Sequence, residues 1–375
     1  MFERFTTLLF ESPVSSLSAT LAAPIAMTVW FRSRASRLNE PERQTTWILY
    51  GQWLQVIYLC TVAVWWSLWD AQRVSVLAKA PLSGLTSLDP AMLTLTLFLG
   101  LPVGALAIAR LIASASGRTF FSSKRTLTDL VRLTLWGTAS STLVFLLVAT
   151  GFDAVYRRSW TSVFWLIAAA IFRMVGKAQF LTAQGIIFRR VKSGEVYKRA
   201  FSLAGRMKVS LRRVHVVPIG RGHLTNALGW PRSIAVTENY TKFLHEPELD
   251  FVIGHELSHS KELHGIKNLA VAPVVLSFLA LACCLFPAIL APFRPILDVV
   301  VILMPVLIDR FFSRRFEYAA DAASVAFTKN PDAATQALVN LNRLTQAPSH
   351  QNELLEIFMT HPALDRRIEA IKTQL

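Results

Sequence analysis

Residues 255–259 read His-Glu-Leu-Ser-His. On a helix, positions four apart share one face, so both imidazoles can reach one ion while Glu256 projects beside it. A carboxylate in that position can take a proton from an attacking water. The residues just upstream support a helix. Pro247 followed by Glu248 suits a first turn, because proline's fixed φ and an acid near the positive end of the dipole both favour it. Phe251, Val252 and Ile253 supply apolar packing immediately before the site.

Zinc hydrolases need three protein ligands and an open fourth position. His264 lies close by, but its offset does not fit the metzincin pattern, whose Gly and third His would fall at Glu262 and Gly265. Its place suggests a helix end or a partner to a ligand. The better third ligand is Glu317, in Arg314-Arg315-Phe316-Glu317-Tyr318-Ala319-Ala320-Asp321. Glu317 and Asp321 are one helical turn apart. Glu317 can bind the ion, and Asp321 can orient a ligand histidine through its other ring nitrogen. One Zn2+ per chain is therefore expected, on His255, His259 and Glu317.

Working outward, the rest of the chain is apolar. It is 53% hydrophobic and 17% charged, where soluble domains average about 25% charged. Long uncharged runs cover Ser12–Phe31, Thr45–Trp69, Ala91–Ala109, Leu133–Phe152 and Leu269–Phe293. A bilayer core takes about 20 helical residues. Two shorter runs, Ser159–Phe172 and Pro295–Ile308, complete a count of about seven spans. The first run lacks a basic start and a small-residue cleavage site, so it reads as an uncleaved span.

Loop charges orient these spans. Arg32, Arg34, Arg37 and Arg43 follow the first run, and Arg110, Arg118, Lys124, Arg125 and Arg132 follow the third. The stretch 173–213 is the most basic, with Glu195 its one acid. The alternate connections carry only Arg73 and Lys79, then Arg157 and Arg158, then Arg294. Under the positive-inside rule the N-terminus lies outside and the catalytic side is cytoplasmic, in a bacterial inner membrane rather than the ER.

The net charge of +15 is thus spent on loop asymmetry, and no basic stripe interleaved with aromatics suggests nucleic acid. The three cysteines, Cys60, Cys283 and Cys284, all lie in apolar runs and form no metal or disulfide pattern. A closed structural zinc site, usually cysteine-rich, is disfavoured. A non-catalytic membrane scaffold or transporter predicts a broken site, whereas every residue needed is present. No GxxxxGK[ST] loop occurs, so no nucleotide is expected.

Four blocks within about 210–375 resemble the integral-membrane gluzincin metalloproteases that include HtpX and the Ste-type CAAX prenyl endopeptidases. They are Asn226-Ala227 with a strand-like Ser233–Thr237, His255–His264 with Gly265-Ile266-Lys267-Asn268, Phe316-Glu317-Tyr318 with Asp321, and His361-Pro362 with Arg367. The span count and His264, where HtpX-like members usually carry Asp, favour the CAAX branch. The resemblance implies His255, His259 and Glu317 as ligands and Glu256 as base. It further implies an edge strand that holds the substrate backbone, and a cleft lined by Asn226, His361 and Arg367. His361 and Arg367 suit a developing oxyanion.

The expected architecture is an all-α membrane bundle with a small α+β zincin-like catalytic domain. Its parts are a five-span region 1–172, a catalytic segment 173–268, a transmembrane hairpin 269–308 and a second catalytic segment 309–375. The expected activity is ATP-independent hydrolysis of peptide bonds in membrane-associated, misfolded or lipidated polypeptides. The expected partners are that polypeptide and the bilayer.

Overall fold

The computed structural model describes residues 13–38, scattered positions from 43 to 172, and 188–218, 227–290, 293–345 and 356–373 apart from 358. Of the apolar runs, Thr45–Trp69, Ala91–Ala109 and Leu133–Phe152 lie largely outside those residues, as does Asn226, whereas the described residues of Ser159–Phe172 are helical.

The chain divides into two compact units. One comprises Met1–Ser122, Thr126–Arg173 and Leu276–Met304. In it the first apolar run forms helix α1, Pro13–Ser36. A buried hydroxyl pair, Thr28 Oγ1 and Tyr50 Oη at 2.6 Å, satisfies two polar groups that would otherwise be costly among apolar side chains. Leu276 and Val301 are buried there against Val148, Leu166, Leu279 and Ala280.

The second unit comprises Ser123–Arg125, Met174–Val275 and Pro305–Leu375, and it holds the HELSH segment. Its elements begin with β1 (Arg189–Val191), α2 (Glu195–Arg206), β2 (Arg213–Val217), β3 (Ala227–Trp230) and β4 (Ser233–Thr237). Helices α3 (Glu238–Phe243) and α4 (Glu246–Lys261) follow. Next come α5 (His264–Leu285), α6 (Arg294–Thr328), α7 (Pro331–Thr345) and α8 (Leu364–Lys372). The strands form one mixed sheet in the order β1-β2-β4-β3. β1 and β2 are antiparallel, β2 and β4 parallel, β3 and β4 antiparallel.

The sheet corrects one expectation. Ser233–Thr237 is not the edge strand: β4 is interior, paired on both sides, with four of its five residues buried. Among the described strands the edges are β1 and β3, and β3, Ala227–Trp230, is the one beside β4. The physical reason is the two-residue turn Pro231-Arg232, which folds β3 back outside β4 with Trp230 opposite Ser233. Proline sets the first φ of that turn, and Arg232 takes the left-handed one, φ 62°. Ser260 on α4 accepts the Arg232 N–H at 3.1 Å, which ties the turn to the HELSH helix.

Helix α4 is buried on nearly every face, as a helix at the centre of a unit must be. Its start matches the sequence expectation. The Glu248 carboxylate accepts the His245 N–H at 3.2 Å and the Asn340 side-chain N–H of α7 at 3.1 Å. Phe251, Ile253 and Leu257 are at most 1% exposed, and each contributes about 1.5–3 kcal/mol by burial. Their neighbours are Val214, Ile234 and Val236 of the sheet and Ala334, Ala337 and Leu338 of α7.

Helices α5 and α6 each run from one unit into the other. Among the described residues α5 is the one helix long and apolar enough to cross a membrane. It begins at His264, before the first apolar residue of the run Leu269–Phe293, and ends at Leu285. Helix α6 covers Pro295–Ile308 and continues through Asp309, Arg310, Arg314 and Arg315 to Thr328. Charges that end an apolar run do not end a helix, so Pro295–Ile308 and the Glu317 segment belong to one continuous helix.

Candidate functional site

Helix α4 presents His255 and His259 on one face, with Nε2 atoms 3.0 Å apart. Two imidazole nitrogens that close either share a proton in an N–H···N bond or turn their lone pairs to one cation. Glu317 of α6 completes the group: Oε1 lies 3.3 Å from His259 Nε2 and Oε2 lies 3.6 Å from His255 Nε2. One ligand atom from each residue falls within 4.8 Å of the others.

The fit to a zinc ion shows in what the other ring nitrogens do. His255 Nδ1 donates to Asp321 Oδ1 at 2.8 Å, which leaves its Nε2 lone pair facing the group. His259 Nδ1 lies 2.8 Å from His264 Nδ1. Donation from His259 to His264 frees the second Nε2 in the same way. His264 is buried and stacks on Phe316, ring centroids 4.2 Å apart and planes within 9°. It reaches back because Leu263 takes a left-handed φ of 54° between α4 and α5. The spacing argument gave His264 as a helix end or a partner to a ligand; it begins α5, and its ring lies against His259.

Two glycines set how closely the elements approach. A Cβ on Gly229 of β3 would lie 2.4 Å from the Glu256 carbonyl oxygen, so only glycine lets the edge strand press against α4 at the base. The same point is 3.2 Å from Glu256 Oε2, which places that carboxylate beside the strand. A Cβ on Gly254 would lie 2.5 Å from Ser324 Oγ. Ser324 donates to the Phe251 carbonyl at 2.6 Å, and this contact brings α6, with Glu317, against α4.

The charges are arranged around burial. Burial raises the Glu256 carboxyl above its ordinary range, against the lowering pull of His255 and His259. Burial would raise Glu317 too, but His361 and His259 outweigh it and hold that carboxyl well below the ordinary range. Burial likewise opposes the charge on Asp321, and Arg367 overcomes it. Arg367 grips Asp321 with both arms, Nε to Oδ2 at 2.8 Å and Nη2 to Oδ1 at 2.7 Å. Its Nη1 is 3.6 Å from Glu317.

The structure thus brings together His255, Glu256, His259, Glu317, Asp321, His361 and Arg367. His361 Nδ1 lies 2.9 Å from Glu317 Oε2, and its side chain is 61% exposed. The Glu317 charge raises its imidazole above the ordinary value. Arg367 faces the two acids rather than open space. Ala227 begins the edge strand with its side chain 6% exposed in the core, so only its backbone can face a partner. Sequence reasoning did not single out Gly229, Gly254, Ser324 or Arg314. The small residue just before His255 was the one local hint of close helix packing.

A helix with two histidines four apart, a carboxylate between them and a third ligand from a distant helix define a site of the metallopeptidase kind. Residues 191–375 match the model of peptidase family M48, so this part of the chain is similar to that family's peptidases. A protease HtpX homolog of Streptococcus equi subsp. equi is 27% identical, over 37% of this chain and 59% of its own length. One from Nostoc sp. is 29% identical, over 47% and 72%. The chain therefore spans 59% of the length of the first curated relatives it matches. The crystal structure of S. mikatae Ste24p is similar in fold, with a TM-score of 0.58 at 15% identity, over 95% of this chain and 97% of that one.

Proposed function

We propose that this chain is a membrane-embedded zinc endopeptidase that cleaves membrane-associated, misfolded or lipidated polypeptides without ATP. The observation that carries the reading is the gathering of both Nε2 atoms with the Glu317 carboxylate, with Glu256 on the same helix turn. Zinc held by His255, His259 and Glu317 would polarise the scissile carbonyl and acidify the attacking water.

The chain's own residues supply the rest. Glu256 accepts the water proton and passes it to the leaving amine. Its raised proton affinity brings it nearer the operating pH, where a shuttle works best. The outer strand β3 is the element this reading assigns to an extended substrate, and Asn226 and Ala227 are the residues it assigns to that contact. His361, exposed beside Glu317, donates to the developing oxyanion. Arg367 and Asp321 keep the ligands charged and aimed. Helix α5 and the apolar runs support a bilayer setting, with 1–172 and 269–308 in the membrane and 173–268 and 309–375 on the cytoplasmic side.

The test uses the full chain in detergent or nanodiscs with zinc. A prenylated peptide and an unfolded membrane protein are offered separately. Cleavage of either, lost at least about a hundredfold in Glu256→Gln with zinc still bound, is the expected result. Near-normal turnover by the zinc-loaded variant would remove Glu256 from the mechanism. Cleavage of neither substrate by the wild type would sink the reading.

A further inference from the structure

His361 poses a problem of position. A side chain 61% exposed has little packing to hold it, yet its Nδ1 lies 2.9 Å from a ligand carboxylate. No regular element carries it: residues 359–363, just before α8, are irregular. Something must fix the backbone of that segment.

We propose that Arg314 is the positioning residue that sets His361 over the metal centre. Arg314 stands on α6 one turn before Glu317, on the same side of the helix. Its Nη1 lies 2.8 Å from the carbonyl oxygen of Glu356, 3.0 Å from that of Ile357 and 3.1 Å from that of Met359. A charged donor on carbonyl oxygens makes stronger bonds than a neutral one. The far end of the segment is closed by the same residue that begins it. Glu356, 5% exposed, accepts the Ala363 N–H on Oε1 at 3.2 Å, and its Oε2 pairs with Arg366 at 2.9 Å. The Met359 N–H donates to the Glu356 carbonyl at 3.0 Å.

His361 therefore sits inside a closed turn, two residues from each fastened point. The helix that supplies the third ligand also supplies the fastener. Arg314 and Glu317 are rigidly spaced on α6, so the His361–Glu317 separation is set by the helix rather than by the ring's own contacts. Arg366 and Arg367 divide the matching task on α8: the first holds the turn through Glu356, the second holds Asp321.

The role of His361 in the rate rests on the protease reading, whereas the clamp does not, and the test separates them. Hydrogen–deuterium exchange is measured on the full-length wild type and Arg314→Ala, with zinc. Exchange should rise in residues 357–363 and stay unchanged in 255–261. Unchanged exchange in 357–363 overturns the clamp whatever the enzyme does. In the activity arm, Arg314→Ala should lower kcat by about ten- to a hundredfold at nearly constant KM and full zinc content, the cost of a misplaced group. The double variant Arg314→Ala/His361→Ala should be no slower than His361→Ala alone, because both act at one point. Multiplying losses in the double variant would overturn the proposal. If Arg314→Ala does not fold, Arg314→Lys, which keeps the charge and a shorter reach, should show a smaller rise in exchange and a partial kcat loss. Wild-type exchange and rate in Arg314→Lys would also overturn it.

Discussion

Helix α4 brings to the metal centre two imidazoles that need only be neutral, whereas α6 brings two carboxylates that must stay charged while 7% and 2% exposed. The α4 pair is made by one helical turn and needs no distant residue for its spacing. The α6 pair depends on Arg367 and His361, which lie beyond α7 in the chain. Buried acids are unfavourable unless paired and hydrogen-bonded. The difference teaches that the site has a local half, which sets spacing, and a long-range half, which sets charge.

The same asymmetry separates the two histidines. Behind His255 stands an anion, Asp321, gripped by a cation. Behind His259 stands another imidazole, His264, held by stacking on Phe316. A carboxylate partner makes a ligand more basic than a neutral ring does.

The largest effect that would break this comparison is at Glu317. Glu317→Ala should lose both zinc and cleavage, since two histidines are short of a hydrolase site. Zinc content by mass spectrometry or absorption decides it. Zinc kept in Glu317→Ala but lost in His264→Ala would reverse the two halves.

The partners of the histidines should show a smaller and unequal loss. Asp321→Ala should weaken zinc by roughly 10–100-fold, and His264→Ala by less, with the metal still bound at saturation. Competition with a chelator measures both. Equal losses would mean that the charge behind His255 does not matter.

The smallest effect concerns how α6 docks on α4. Ser324→Ala should cost about 1 kcal/mol of stability through the lost bond to Phe251, with little change in turnover. Gly254→Ala should be far more damaging alone than in the Ser324→Ala background, because the Ser324 hydroxyl is what its Cβ would strike. Thermal melts of the set test this. Equal damage in both backgrounds would place the clash elsewhere.

How much of this was legible follows from where the contacts lie. The α4 helix, its Pro247-Glu248 start and the His255–His259 pair could be read directly, since helical period and capping are local. Glu317 with Asp321 could be read as a pair one turn apart, and His264 as an accessory to a ligand. The edge strand was misplaced, because Ser233–Thr237 and Ala227–Trp230 both look extended and only pairing order makes one of them the edge. Arg314 entered the sequence reading only as the first residue of the Arg314–Asp321 stretch, with no role of its own. Its three carbonyl partners are more than forty residues away and carry no side-chain signature.

The sequence by itself determined the candidate ligand types, their spacing and the candidate base, because a helix converts a four-residue interval into a shared face. The tertiary structure decided which group stands behind which candidate ligand. It decided that Arg367 serves Asp321, that His264 serves His259, and that Gly229 and Gly254 let strand and helix close in. Those choices depend on burial and on contacts between residues far apart in the chain. In such an interior an unpaired charge or an added methyl costs more than any local preference can supply.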